Sequence, residues 1–116
     1  MSIKNILCFG DSNTWGFVPG AFDPKTLYMK RYSILKRWPG LLRGIMGKNY
    51  HIIEQGLNGR TPNVEYPGLS GRSGTSYILP CLCSHNPLDL VILNIGINDI
   101  KVIFGRSMME ISEGIA

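Results

Sequence analysis

The 116-residue chain has too few cysteines, at the wrong spacings, for a disulfide framework or a metal ribbon. Cys8, Cys81 and Cys83 form no C-x-x-C pair, and Cys8 lies inside an apolar run. This usage fits reduced, mostly buried thiols in a cytoplasmic protein. Long hydrophobic runs are missing too. The stretch Ile6 to Phe9 stops at Gly10, too soon for a signal-peptide core. No later run approaches the roughly 20 residues that span a bilayer, so no membrane partner is expected. Charge is sparse, at 17% of residues with a formal net charge of +4. The densest basic stretch, Arg31, Lys36, Arg37, Arg43 and Lys48, carries no interleaved aromatic pattern. A solvated helix face is expected there rather than a nucleic-acid groove. Neither G-x-G-x-x-G nor G-x-x-x-x-G-K-[ST] occurs, so nucleotide binding would rest on topology alone. With no repeat, linker or biased segment, the chain is read as one domain with one core.

What is present has α/β rhythm. Three apolar segments are predicted strands, Ile3–Phe9, Tyr50–Glu54 and Leu88–Ile95. The last is nearly continuous, the pattern of a parallel strand covered on both faces. Between the first two, Trp38, Leu41, Leu42, Ile45 and Met46 follow helical spacing, with Pro39 in the first turn and Gly47 at the C-terminal cap. A second helix is predicted over Thr75–Ser84, with Pro80 near its start or kinking it, and a third from about Ser107 to the terminus. Strand and helix in alternation imply right-handed crossovers and a parallel sheet. The long connections 17–33 and 60–74 follow carboxyl ends of strands, the edge where such sheets build their sites.

The first strand ends in Gly10-Asp11-Ser12, the second near Gly56-Leu57-Asn58-Gly59, and the third in Gly96-Ile97-Asn98-Asp99. Alone, the serine turn reads equally as a nucleophile or as an ordinary strand exit. Parallel strands lie about 4.8 Å apart, so groups just past three neighbouring ends can surround one small substrate atom. The N–H groups of Ser12 and Gly59 and the Asn98 amide offer three donors to a developing oxyanion. Each such donor is worth about 3 to 4 kcal/mol in the transition state.

These blocks resemble the SGNH (GDSL-type) serine hydrolases, closest to their arylesterase/acyltransferase branch. Gly10-Asp11-Ser12-Asn13 resembles the first block, with Asn13 where leucine is common. Gly59-Arg60-Thr61 is similar to the second, and Gly96-Ile97-Asn98-Asp99 to the third, with Ile97 for the usual threonine. Thr14-Trp15-Gly16, Arg37-Trp38, Ile53-Glu54-Gln55-Gly56-Leu57 and Ser84-His85-Asn86-Pro87-Leu88-Asp89-Leu90-Val91-Ile92 extend the likeness along nearly the whole chain. The resemblance implies a flavodoxin-like three-layer sandwich truncated to about three strands. It implies Ser12 as nucleophile, with Gly59 and Asn98 completing an oxyanion hole. Trp15 and Phe17 would line the substrate pocket, although Trp15 reads equally as an aromatic anchor for the loop. Asp11 and Asp99 are expected to order their turns. The implied reaction is hydrolysis or transfer of short-chain or aryl acyl groups through an acyl-serine, with no cofactor or metal.

The family's base comes from an Asp-x-x-His block, and this sequence contains none. Its histidines are His51 and His85. At about 3.3 Å per residue, His51 falls roughly 17 Å from the catalytic edge, and His85 precedes the third strand at the wrong end too. The chain is therefore expected to be the N-terminal part of a longer hydrolase with little turnover of its own. The alternative is a non-catalytic member that binds a ligand or self-associates through an open sheet edge.

Overall fold

A computed structural model describes residues 2–101 and 105–115. Strands β1 (Lys4–Gly10), β2 (Tyr50–Gly56) and β3 (Leu90–Asn94) form one parallel sheet in the order β2-β1-β3. Gly10 pairs with Gly56 on one side and Asn94 on the other, so all three strands finish level. Among the described residues four α-helices accompany them: α1 (Ser12–Trp15), α2 (Trp38–Met46), α3 (Ile78–Ser84) and α4 (Met108–Ile115). The strands begin or end one or two residues from their predicted limits. The helix predicted over 75–84 divides into a 3-10 turn, Gly74–Ser76, and α3. Pro80 is the third residue of α3, within the first turn, where an absent N–H costs no helical bond. Ser107 and Glu110 cap α4 reciprocally: Ser107 Oγ accepts from the Glu110 N–H at 3.2 Å, and Glu110 Oε1 from the Ser107 N–H at 3.0 Å. The expected continuation of α4 to Ala116 lies outside the described residues.

Alternation along the central strand builds both faces of the core. Ile6 and Cys8 join Ile52 beneath Trp38, Leu42 and Met46 of α2, whereas Leu7 and Phe9 join Cys81 beneath Ile78 and Leu82 of α3. Helix α2 uses a narrower stripe than its pattern predicts. Trp38, Leu42 and Met46 meet the sheet, while Leu41 and Ile45 remain 50% and 81% exposed. Strand β3 departs from expectation as well. Its composition predicts cover on both faces, yet Leu90 and Leu93 are about half exposed because β3 is an edge strand of the described sheet.

The basic stretch also differs from a solvated face. Arg37 grips Glu54 of β2 bidentately, Nε to Oε1 at 2.6 Å and Nη2 to Oε2 at 3.1 Å. Arg43 and Arg31 approach the same carboxylate at 3.5 and 3.9 Å. Glu54 thus ties α2 and the 17–37 connection to the sheet. The Arg37 hydrogen bonds, then the charges of Arg37, Arg43 and Arg31, hold its carboxyl below the ordinary value of 4.5 against the opposing effect of burial. A carboxylate whose folded pKa is lowered stabilises the fold above its unfolded pKa and loses that contribution as pH falls through the folded value. Glu54→Gln is expected to cost about 2 kcal/mol at pH 7. The gap between its urea midpoint and that of the parent should narrow as pH drops below about 4.5. A pH-independent gap would show that Glu54 acts through packing rather than charge.

Candidate active site

The carboxyl edge of the sheet is held by close approaches that only small residues permit. Helix α1 starts one residue after β1, with Asp11 as its cap and Asp11 Oδ1 accepting from the Asn13 N–H at 3.0 Å. It lies across the ends of β1 and β2. A Cβ on Gly56 would fall on the Trp15 backbone nitrogen, and one on Gly10 would sit 2.6 Å from the Asn94 carbonyl oxygen. Trp38 Nε1 donates to Thr14 Oγ1 at 3.2 Å and fixes α1 from the α2 side. Burial pushes the Asp11 carboxyl above its usual value, with the Asn13 hydrogen bond pulling the other way.

Arg60 braces the strand ends from within. It is 3% exposed, and its Nη1 donates to the carbonyls of Gly10 at 3.0 Å and Gln55 at 2.6 Å. Its guanidinium lies over the Phe9 ring at 4.0 Å and the Tyr77 ring at 5.4 Å. Carbonyl dipoles and aromatic faces replace the lost water around this charge and lock the ends of β1 and β2 together. Burial is also the main force lowering the Arg60 pKa.

At the same edge of the sheet opens a cavity of about 380 Å³ whose walls include Ser12, Gly59 and Asn98. The backbone N–H groups of Ser12 and Gly59 meet no protein acceptor among the described residues. Asn98 is 4% exposed and gives one amide hydrogen to the Arg60 carbonyl at 3.0 Å, leaving the second free. Gly59 sits at φ +81°, a conformation a side chain would strain. Arg72 Nε donates to the Asn58 carbonyl at 2.9 Å and so holds the peptide that carries the Gly59 N–H.

Solved structures with this architecture include an aryl esterase from M. smegmatis, 42% identical with a TM-score of 0.89, and a carbohydrate acetylesterase from Sinorhizobium meliloti, 41% identical with a TM-score of 0.88. Each match covers 97% of this chain and 51% of the other. The SGNH-hydrolase family esterase AlinE4 shares the fold at 24% identity and a TM-score of 0.62, over 99% of this chain and 52% of its own. The chain shares the fold of the SGNH hydrolases. It spans about half the length of the structures it matches. No family model matches the sequence, and no curated protein does.

Seen as SGNH blocks, the three strand ends meet where the sequence reading placed them, with Ser12, Gly59, Asn98 and Phe17 around one cavity. Trp15 stands apart from its walls. Its ring faces the Arg31 guanidinium at 4.9 Å, and its carbonyl accepts from Arg31 Nε at 2.6 Å. This is the anchoring alternative for that residue. Asp99 takes the turn-ordering part through Arg106, whose Nη1 reaches its Oδ2 at 3.3 Å and Asn63 Oδ1 at 2.7 Å. Burial raises the Asp99 pKa, and Arg106 opposes it.

Neither histidine approaches Ser12. His51 pairs in register with Asn5 at the opposite edge of the sheet, and His85 closes α3 with its Nδ1 2.9 Å from the Cys81 carbonyl. The buried thiols are no substitute nucleophiles, since burial pushes Cys8 up to about 11 and raises Cys81 as well. Among the described residues no cluster of His, Cys, Asp and Glu could hold a metal ion, and no helix is long and apolar enough to cross a membrane. The sequence reading assigned no role to Arg60 or Arg72, nor to Phe22, Leu27, Met29, Tyr66 and Leu69 in the cavity walls. Their one sequence signal is position, on the two long connections that follow strand ends.

Proposed function

We propose that this chain carries the nucleophile and oxyanion hole of a serine esterase acting on short-chain or aryl carboxylic esters. Ser12 Oγ attacks the acyl carbon, and charge on the carbonyl oxygen is met by the Ser12 and Gly59 N–H groups and the Asn98 amide. The alcohol leaves with a proton, and water, or a second alcohol in a transferase reaction, takes the acyl group from Ser12. The observation that carries this reading is one cavity lined by Ser12, Gly59 and Asn98, with two backbone donors unspent. Three free cysteines support a reducing, cytoplasmic setting. The esterase titles of structures 41–42% identical add to the esterase reading.

No histidine lines the cavity, so the 116-residue chain by itself is expected to turn over slowly. Without a base Ser12 is a weak nucleophile aided only by the oxyanion hole, so its own contribution to the rate should be a small increment over that of the hole alone. Hydrolysis of p-nitrophenyl acetate by the chain, measured beside Ser12→Ala, should show this small increment and its loss in the variant. Turnover at ordinary enzyme rates would mean that a base has been overlooked, and identical rates in both proteins would remove Ser12 from the chemistry. A second reading, association through the free edge of β3, is favoured by the half-exposed Leu90 and Leu93. Sedimentation that depends on concentration and is abolished by Leu93→Lys would support it.

A further inference from the structure

The cavity beside Ser12 is apolar over most of its wall but positively charged at Arg72 and Lys101, and among the described residues no carboxylate lines it. Every other arginine is neutralised or enclosed. Arg31, Arg37 and Arg43 converge on Glu54, Arg106 meets Asp99, and Arg60 is buried among carbonyls and rings. Arg72 has no such partner. Its Nε and Nη1 each donate at 2.9 Å, to the carbonyls of Asn58 and Ser70, which hold the guanidinium in place. Its Nη2 reaches no protein acceptor among the described residues. Lys101 Nζ donates to the neutral Tyr66 hydroxyl at 3.1 Å and lies over the Tyr66 ring at 4.9 Å. Two cations are thus pinned at the rim of one apolar cavity by groups other than carboxylates. Arg72 has no ion-pair partner among the described residues, and Lys101 feels the buried Asp11 carboxylate only at longer range.

We propose that the cavity selects anionic esters, with an apolar or aromatic body against Phe17, Met29 and Leu69 and a carboxylate or phosphate on Arg72 and Lys101. This rests on the esterase reading above and adds the substrate's charge to it. Arg72, held by two carbonyls, offers its remaining edge to an anionic oxygen without first losing side-chain freedom. Lys101 adds a point charge. Apolar walls lower the local dielectric and strengthen both attractions, and added salt weakens them.

Binding alone tests this, without turnover. Benzoate, phenyl phosphate and benzyl alcohol are titrated into the 116-residue chain at low and high salt and followed by ¹⁵N–¹H spectra, with the Ser12 and Gly59 amides reporting the location. Both anions are expected to bind about tenfold or more tighter than the alcohol. The ratio of the two anions tells which head group fits better. Arg72→Gln and Lys101→Gln should each remove most of that advantage, and Arg72→Lys should restore part of it. Lys48→Gln, which makes the same change in net charge at the opposite edge of the sheet, should leave it intact. Dispersed spectra of each variant verify folding, and Lys101→Gln carries the test if Arg72→Gln loosens the loop. Equal affinity for the anions and the alcohol, or equal losses in Lys48→Gln and Lys101→Gln, would overturn the proposal. Anion preference together with a Ser12 that never contributes to ester cleavage would uphold the anion site and remove the esterase reading.

Discussion

Gly56→Ala is expected to cost about 3 kcal/mol or more, out of the roughly 5–15 kcal/mol that holds a typical domain together. The added methyl group would land on the Trp15 backbone nitrogen, with the Thr14 carbonyl carbon and Trp15 Cα each 2.8 Å away. These are backbone atoms of α1, and α1 has little room to retreat. Thr14 is held by Trp38, Asp11 caps the helix, and Gly10 beneath it allows no slack. Relief requires α1 to lift from the sheet, which would carry Ser12 away from Gly59 and Asn98. Thermal unfolding should show a midpoint lower by more than about 10 °C, since 1 kcal/mol moves a domain of this size by about 4 °C or more. Gly44→Ala is the matched control. Gly44 lies in α2 with nothing within 4 Å of its added Cβ, so alanine should stabilise by about 0.5–1 kcal/mol. If both substitutions prove neutral, α1 does not rest on the strand ends as described.

The contrast between these two glycines shows what could be read in advance. Helical spacing, Pro39 and Gly47 place α2 within a residue of its observed limits, because local periodicity and capping decide such a helix. Nothing local separates Gly44 from Gly56. The demand on Gly56 comes from α1, a single turn too short to carry any periodic signal. The same holds for the charges. Arg31, Arg37 and Arg43 are spaced like a solvated face, and only the packing of α2 and the 17–37 connection against β2 brings Glu54 among them.

The site divides along the same line. Ser12, Gly59 and Asn98 were legible because each follows a strand end directly, and a parallel sheet brings its strand ends together whatever its loops do. Trp15 and Phe17 are two residues apart on one exit, yet Phe17 lines the cavity and Trp15 turns under Arg31. That choice depends on where the 17–37 connection folds back, through the Phe17–Arg31 bridge and the Arg31 bond to the Trp15 carbonyl. Contacts between residues 14 and 16 positions apart leave no mark in a local pattern. Arg60 is the instructive case. A cation in a run of turn residues looks solvated, but the Gly10 and Gln55 carbonyls that point past the strand ends create a buried place for it.

Asn98→Ala is expected to remove nearly all Ser12-dependent ester cleavage, a fall of about 10²–10³-fold in kcat for loss of one oxyanion donor. Two different effects are at stake in this side chain. Its bond to the Arg60 carbonyl is structural, and leaving that carbonyl unpaired should cost about 1–3 kcal/mol of stability, a modest drop in Tm. Its second amide hydrogen has no protein acceptor among the described residues, and there the larger loss arises. The two effects separate by measurement. A purely structural role would lower Tm and leave the rate per folded molecule unchanged, whereas the oxyanion role lowers kcat with a much smaller change in KM. Asn98→Asp sharpens the distinction, since it preserves shape but replaces both amide hydrogens with a carboxylate oxygen facing the Arg60 carbonyl and the developing negative charge. It should be at least as inactive as Asn98→Ala. Unchanged kcat in either variant, with Ser12→Ala as the zero, would take Asn98 out of the oxyanion hole and leave the two backbone N–H groups as its whole content.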